Sequence, residues 1–403
     1  MQIIFVHPNF PAQFGHIARH LTTQFGYDCI FVSQQPAKGE SPIRRIQYHT
    51  KGGAVEKNHF CSRTFENAIW STHGVYEALA AHPELKPDLI VGHSGFGSTL
   101  FLSQLFSCPI LNYFELFYHT KNSDMDFRPD FPTGVMEQLR AQARNAMILL
   151  DLNECTRGMS PTKWQHSTLP VEYRNKVEVI FDGIDVELWK NGPETNRTFC
   201  DWEVPADCKL ITYATRGMES MRGFDIFLKA AKKLTALRSD IHVAIVGQDR
   251  VCYGGDQKHL GGKTLKEQWF ANEVFDASRF HFTGLLPPAD LARLFRLSDA
   301  HFYLTVPFVL SWSVFNALSC GVTLIASDTS PVREVVKHGE NGLLVDFFDV
   351  DGFVEQTLKV LDRPDEYRHL GENGRRLMEK QYSYDVCLPR IHQLYREVAA
   401  SKK

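Results

Sequence analysis

Arg216 and Arg222 stand six positions apart in the stretch Arg216-Gly217-Met218-Glu219-Ser220-Met221-Arg222-Gly223-Phe224-Asp225. Two guanidinium groups aimed at one point suit a diphosphate whose negative charge grows as a bond to it breaks. A second stretch, Leu304–Glu334, points to the same chemistry. Ser311 and Ser313 offer helix-capping hydroxyls around Trp312, a short apolar helix runs to about Ser319, Gly321 stops it, and Val322–Ala326 reads as a buried strand. A helix opening beside a strand end presents unpaired amide N–H groups and the positive end of its dipole, which makes an anion site suited to phosphate. Glu334, early in the helix after Pro331, reads either as a dipole-favoured carboxylate or as a contact to a ligand hydroxyl.

Earlier in the chain, His93 follows the strand Pro87–Gly92, and Glu115 stands just past the strand Pro109–Tyr113. Ligands of open parallel sheets bind beyond the carboxyl ends of strands, where both fall. Gly15, in the first turn of a helix, permits close approach of a ligand to the backbone or serves packing. Asp124–Asp126 and Asp349–Asp351 both match D-x-D, a pattern able to hold a divalent cation; both read as solvated loop, and no metal is expected.

These residues need strands and helices in alternation. Gln2–Val6, Cys29–Val32, Ile43–Tyr48, Pro87–Gly92, Pro109–Tyr113, Ala146–Leu150 and Val177–Phe181 read as strands, with helices at Gln13–Phe25, Phe65–Ala81, from Gly95 to Leu105, Glu137–Asn145 and Lys163–Thr168. Lys121–Pro132 and Asn191–Glu203 are polar, a loop and a linker. Beyond the linker, strands Leu210–Ala214, His242–Val246, Phe280–Thr283 and Ala300–Leu304 alternate with helices Ile226–Leu237, Lys266–Phe275 and Pro288–Leu297, with a Gly-rich excursion at Gly247–Gly262. A last helix opens at Ser383, with Pro389 expected to kink or break it. The fold class is α/β, two doubly wound Rossmann-like domains: residues 1–190 plus the terminal helix 383–403, and residues 191–382.

Composition excludes several classes. A net charge of −3 over 403 residues, without a long like-charge run, argues against a nucleic-acid face. The nine scattered cysteines, odd in number and without C-x-x-C, fit reduced thiols of a cytoplasmic protein. No run approaches the ~20 apolar residues of a membrane span, and Met1–Val6 reads as a strand rather than a leader. G-x-G-x-x-G, G-x-S-x-G, H-E-x-x-H and the P-loop are absent, so neither a dinucleotide fingerprint nor a protein nucleophile is apparent.

The chain resembles the retaining GT-B glycosyltransferases, the large group that includes sucrose-phosphate synthases and bacterial mannosyltransferases. The resemblance is carried by VIFDGIDVELW (Val179–Trp189), RGMESMRGFD (Arg216–Asp225), FTGLLPPADLARLFRLSDAHFYLT (Phe282–Thr305), NALSCGVTLIAS (Asn316–Ser327) and VREVVKHGENGLLVD (Val332–Asp346). HPNFPAQFGHIA (His7–Ala18) and PFVLSWS (Pro307–Ser313) are similar to a narrower bacterial subgroup. The resemblance implies two domains facing across a cleft, an acceptor-side first domain and a donor-binding second, with the last helix crossing back to the first. It implies a nucleotide-sugar donor, a hydroxyl acceptor of sugar or glycolipid type, a role in polysaccharide biosynthesis, and no cofactor; peripheral membrane contact stays open.

By the same resemblance Arg216 and Arg222 lie on the donor diphosphate and His93 beside the reacting sugar; Glu115, from its place past a strand end, is a candidate for the acceptor side. Gly15, Ser311, Trp312, Ser313, Asn316 and Glu334 fall on the donor. Arg222 stands where Lys is usual, one residue further along. The family's E-x7-E pair is replaced by Phe308 and Asn316. Asn in place of a carboxylate weakens hydroxyl contacts by ~1–2 kcal/mol. That keeps two alternatives in view: a weakened or inactive nucleotide-sugar-binding protein, and a sugar-nucleotide epimerase of the same architecture.

Overall fold

The computed structural model describes residues 1–36 and 41–401. Glu40, which opens the polar stretch before the third strand, and Lys402 and Lys403 of the expected last helix lie outside the described residues. The chain forms two compact units. The first comprises Met1–Thr120, Gly134–Gly183 and Asp385–Lys403; the second comprises Lys121–Thr133 and Ile184–Tyr384.

The first unit is built on a seven-stranded parallel sheet: β1 (Gln2–Val6), β2 (Asp28–Ser33), β3 (Arg44–Gln47), β4 (Leu89–His93), β5 (Ile110–Tyr113), β6 (Arg157–Ser160) and β7 (Val177–Val179), in the order β3-β2-β1-β4-β5-β6-β7. The central strands are apolar on both faces because helices cover both; Ile3, Ile4, Phe5 and Val6 are all fully buried. The order reverses between β1 and β4, so the loops after these strands open side by side. Gly97 lies in the turn after β4, and a Cβ there would come within 2.3 Å of the Val6 carbonyl oxygen. Only glycine allows the two loops to approach this closely.

The second unit carries a small antiparallel hairpin, β8 (Thr198–Phe199) and β9 (Trp202–Glu203), ahead of its own six-stranded parallel sheet. That sheet consists of β10 (Lys209–Gly217), β11 (Ile241–Gln248), β12 (Phe280–Gly284), β13 (Ala300–Tyr303), β14 (Leu324–Ser327) and β15 (Leu343–Val345), in the order β12-β11-β10-β13-β14-β15. Its reversal falls between β10 and β13, which carry the Arg216–Arg222 loop and the loop leading to Ser311.

Four local expectations change. Ala146–Leu150 is not a strand but the middle of the helix Val135–Glu154. Met147, Ile148 and Leu152 are buried while Leu149 and Leu150 are exposed, which is a helical period that a five-residue apolar run conceals. The strand at that place is β6. The helix expected from Gly95 to Leu105 is reduced to the 3₁₀ turn Leu102–Gln104. Gly95 adopts a φ of 85°, and the Ser94 and Ser98 hydroxyls donate to Asp151 instead of capping a helix. The linker contains the β8–β9 hairpin, which buries Phe199. The last helix, Tyr384–Ala400, continues through Pro389 without a break. It packs on the first unit: Tyr395 lies 6.2 Å from Phe5 between ring centroids, and the Tyr27 hydroxyl meets His392 Nε2 at 2.9 Å.

Candidate functional site

In the second unit, the loops after β10 and β13 are joined at several points. The Val306 amide donates to the Met221 carbonyl at 3.0 Å. Arg222, almost wholly buried, donates from Nη1 to Thr305 Oγ1 at 2.7 Å and to the Val309 carbonyl at 3.0 Å. Its guanidinium carbon sits 5.5 Å from the ring centroids of both Tyr253 and Phe308. Gly223 has a φ of 62°, and a Cβ there would come within 2.6 Å of Leu304 Cβ, so glycine is what lets the chain turn tightly against the β13 loop. Among the described residues, Arg222 Nη2 and Nε make no hydrogen bond, and Arg216, exposed near the end of β10, makes neither hydrogen bond nor ion pair. Cationic donors thus remain at the carboxyl end of β10, tied through Arg222 to the loop after β13.

Three residues beyond Val309 the helix Trp312–Ser319 begins. Ser311 is its N-cap: its hydroxyl accepts from the Ser313 amide at 3.2 Å, and its own amide donates to the Tyr303 hydroxyl at 2.9 Å. Ser313 does not cap; its hydroxyl donates to Ser311 Oγ at 3.0 Å. Trp312 is exposed. Asn316 lies half-buried on the same helix, and its side-chain amide has no hydrogen-bond partner among the described residues. Glu334 is half-buried in the short helix Ser330–Val335.

In the first unit, His93 ends β4 and is fully buried. Its Nδ1 lies 2.9 Å from the Ser94 carbonyl, while Nε2 has no hydrogen-bond partner among the described residues and stands 3.8 Å from a Glu115 carboxylate oxygen. Burial pushes the imidazole down to about 4, so His93 is neutral near pH 7 and this approach is not an ion pair. His93 and Glu115 line a pocket of about 40 Å³ with Thr64, Phe96, Tyr118 and Arg144. Phe14 and His7 pack on the His93 ring from the β1 loop. Gly15 opens the next helix, Gly15–Phe25. Its amide already donates to the Pro11 carbonyl at 2.7 Å, and a Cβ would come within 2.2 Å of Pro11 Cβ. Packing therefore accounts for this glycine, and its own amide is committed within the loop.

The D-x-D stretches serve local structure. Asp126 accepts from the Asn122 and Ser123 amides in a capping box, and Asp349 caps the helix Val350–Asp362. Among the described residues no three His, Cys, Asp or Glu side chains are grouped so that they could hold a metal ion.

Residues 25–189 match the family described as Glycosyl transferase family 4 group, and residues 199–377 match Glycosyl transferases group 1. The chain belongs to the GT-B glycosyltransferases. Among curated relatives, it is 24% identical over 224 residues to D-inositol 3-phosphate glycosyltransferase of Corynebacterium jeikeium, covering 55% of this chain and 52% of that one. It spans about half the length of the curated relatives it matches. Sucrose-phosphate synthase from Thermosynechococcus elongatus shares its GT-B fold with a TM-score of 0.72, 17% identity and full coverage of both chains. Anabaena HepE in complex with UDP does so with a TM-score of 0.68 and 13% identity, covering 98% of this chain and 100% of that one. Among the described residues no helix is long and apolar enough to cross a membrane.

The GT-B second unit also contains groups that the sequence did not single out. Arg128, within the expected polar loop, is buried; it donates to the Ser220 carbonyl at 2.8 Å and to both carboxylate oxygens of Asp225 at 2.8 Å. Glu219, between the two arginines, is fully buried. Burial pushes its carboxyl up to about 7, against the opposing pull of the Tyr253 and Cys252 amides and of Arg222. In the first unit Asp151, also fully buried, accepts from the Ser94 and Ser98 hydroxyls at 2.9 and 2.7 Å, and burial pushes it up to about 7. The sequence sets Glu219 between Arg216 and Arg222, but nothing in it shows that any of these three groups is buried.

Proposed function

We propose that this chain is a retaining glycosyltransferase that moves a sugar from a nucleoside diphosphate sugar to a hydroxyl acceptor in glycan biosynthesis. The observation that carries the reading is the Arg222 guanidinium, buried at the β10–β13 switch point, turned toward the loop that opens the Trp312–Ser319 helix, and keeping Nη2 and Nε unbonded among the described residues. Arg216 adds a second cation on the same loop. The bond from the anomeric carbon to the diphosphate breaks as the acceptor oxygen bonds that carbon on the same face. The acceptor proton passes to the departing phosphate, so no protein nucleophile is required. Arg216, Arg222 and the helix end stabilise the charge that develops on the diphosphate. Asn316 and Glu334 contact the nucleotide and sugar hydroxyls. The His93–Glu115 pocket of the first unit serves the acceptor and the reacting sugar, with His93 as a neutral hydrogen-bonding group.

The HepE structure of similar fold is one in complex with UDP, which makes UDP the first nucleotide to try, followed by GDP and ADP. A charge-assisted contact to phosphate is worth about 1.5–3 kcal/mol. Arg216→Ala, at an exposed position, is therefore expected to weaken nucleotide binding by about 10- to 100-fold without unfolding the chain. The experiment is titration calorimetry of the wild-type chain and of Arg216→Ala, with NMR of the product anomer formed from the matching nucleotide sugar. Equal affinities, or no nucleotide binding by the wild-type chain at millimolar concentration, would refute the reading.

A further inference from the structure

The Gly-rich excursion after β11 is not a loose surface loop where it meets the arginine loop. One carboxylate oxygen of Glu219 accepts from the amides of Cys252 and Tyr253, the latter at 2.9 Å. Asp256 accepts from the Ser220 amide at 2.6 Å and from its hydroxyl at 2.7 Å. Gly217 brings the backbones together: a Cβ there would lie 2.6 Å from the Arg250 carbonyl oxygen. So held, Tyr253 stands 5.3 Å from Phe308 and 5.5 Å from the Arg222 guanidinium carbon, centroid to centroid and centroid to cation.

The other Glu219 oxygen is buried with no hydrogen-bond partner among the described residues. A buried carboxyl left half-satisfied is costly for folding, and an apolar side chain would serve the core better. An oxygen acceptor kept there at that cost, between the two arginines and holding two amides of the excursion, points to a task at the site rather than to stability.

We propose that Glu219 is a positioning residue: it clamps the excursion to the arginine loop and thereby makes Tyr253 a wall of the donor site against Arg222 and Phe308. The inference rests on the donor reading above. It extends the contact surface from the two strand-end loops to the excursion, and it assigns Tyr253 a direct contact with the donor.

The test uses the full chain and whichever of UDP, GDP and ADP the wild-type chain binds. Glu219→Ala is expected to raise the dissociation constant about tenfold, and to speed hydrogen exchange at the Cys252 and Tyr253 amides while leaving β10 and β11 protected. Glu219→Gln keeps an oxygen for both amides and is expected to stay within about threefold of the wild type. Tyr253→Ala, which leaves the clamp in place, is expected to reproduce the loss of affinity and guards against a Glu219→Ala chain that does not fold. Wild-type affinity in Glu219→Ala or in Tyr253→Ala overturns the inference alone, as does Glu219→Gln behaving like Glu219→Ala. A wild-type chain that binds none of the three nucleotides overturns the donor reading and this inference together.

Discussion

Replacing Arg128 with methionine is expected to destabilise the second unit by about 3–5 kcal/mol, because it leaves a carboxylate buried without its partner. Arg128 bridges two acids whose surroundings differ. Its side chain is 3% exposed, that of Asp225 12%, and that of Asp130 47%. The bidentate contact to Asp225 is therefore shielded from water, whereas the one to Asp130 is open to it on one side. An exposed pair contributes about 0–1 kcal/mol, so Asp130→Ala should cost no more than that. Asp225→Asn should cost several times as much. Arg128→Met combined with Asp225→Asn should cost clearly less than the sum, with a coupling of about 2 kcal/mol or more. Two units can unfold in separate transitions. The measurement is thus urea denaturation read on the transition that hydrogen exchange assigns to the helix Phe224–Leu237. A coupling near zero, or Asp130→Ala as damaging as Asp225→Asn, would refute the claim that Arg128 is held by a desolvated pair. Because Arg128 also holds the Ser220 carbonyl, Arg128→Met should loosen nucleotide binding in the surviving folded protein.

Asp151 gives a pH prediction. Its carboxyl is pushed up to about 7, so its contribution to stability is fully present below its unfolded value near 4 and is lost as pH rises to 7. Asp151→Asn removes that slope, and the variant should gain on the wild type between pH 4 and pH 7 in parallel denaturation series; a constant difference would count against it. The buried histidines His7, His93 and His301, pushed down to about 3, 4 and 3, act in the opposite sense: their stabilisation is present above pH 6.5 and falls away under acid in both proteins. Gly371→Ala should destabilise despite a gain in helix propensity of about 1 kcal/mol. The new Cβ would sit 2.0 Å from the Gly321 carbonyl oxygen, and overpacking of this kind costs about 1–3 kcal/mol or more; a higher melting temperature would refute it. Asn316→Glu should tighten nucleotide binding by about 1–2 kcal/mol by adding a charge-assisted contact to hydroxyls, measured by calorimetry with the nucleotide that the wild type binds. Tighter binding with no turnover would favour a chain that binds nucleotide sugar without transferring it.

The parallel sheets were legible because their strands are short, apolar on both faces and set between helices of clear period. The run Ala146–Leu150 failed by the same reasoning: five apolar residues do not distinguish a buried strand from a helix. Only their neighbours decide it, with Ala141 and Leu152 burying the same helical face as Met147 and Ile148. The Gly95 helix failed for a different reason. The hydroxyls of Ser94 and Ser98, on either side of its expected start, are drawn to Asp151, more than fifty residues away.

The site divides along the same line. Arg216, Arg222 and Ser311 could be placed from sequence because strand-end position is a local property, and the β10–β13 reversal brings their loops together. Arg128 and Glu219 could not, because what matters about them is burial, and burial is set by partners 97 and about 33 positions distant. A charged residue in a polar stretch reads as solvated until its counter-ion is found. The chemistry proposed for the arginine loop thus rests on its own residues, and its rigidity on others. Arg128 and Asp256 fix Ser220, Thr305 fixes Arg222, and Glu219 fixes the neighbouring excursion. Preorganisation of this kind is what a diphosphate site requires, since cations free to relax toward water would lose the advantage they hold over solvent as the leaving group departs.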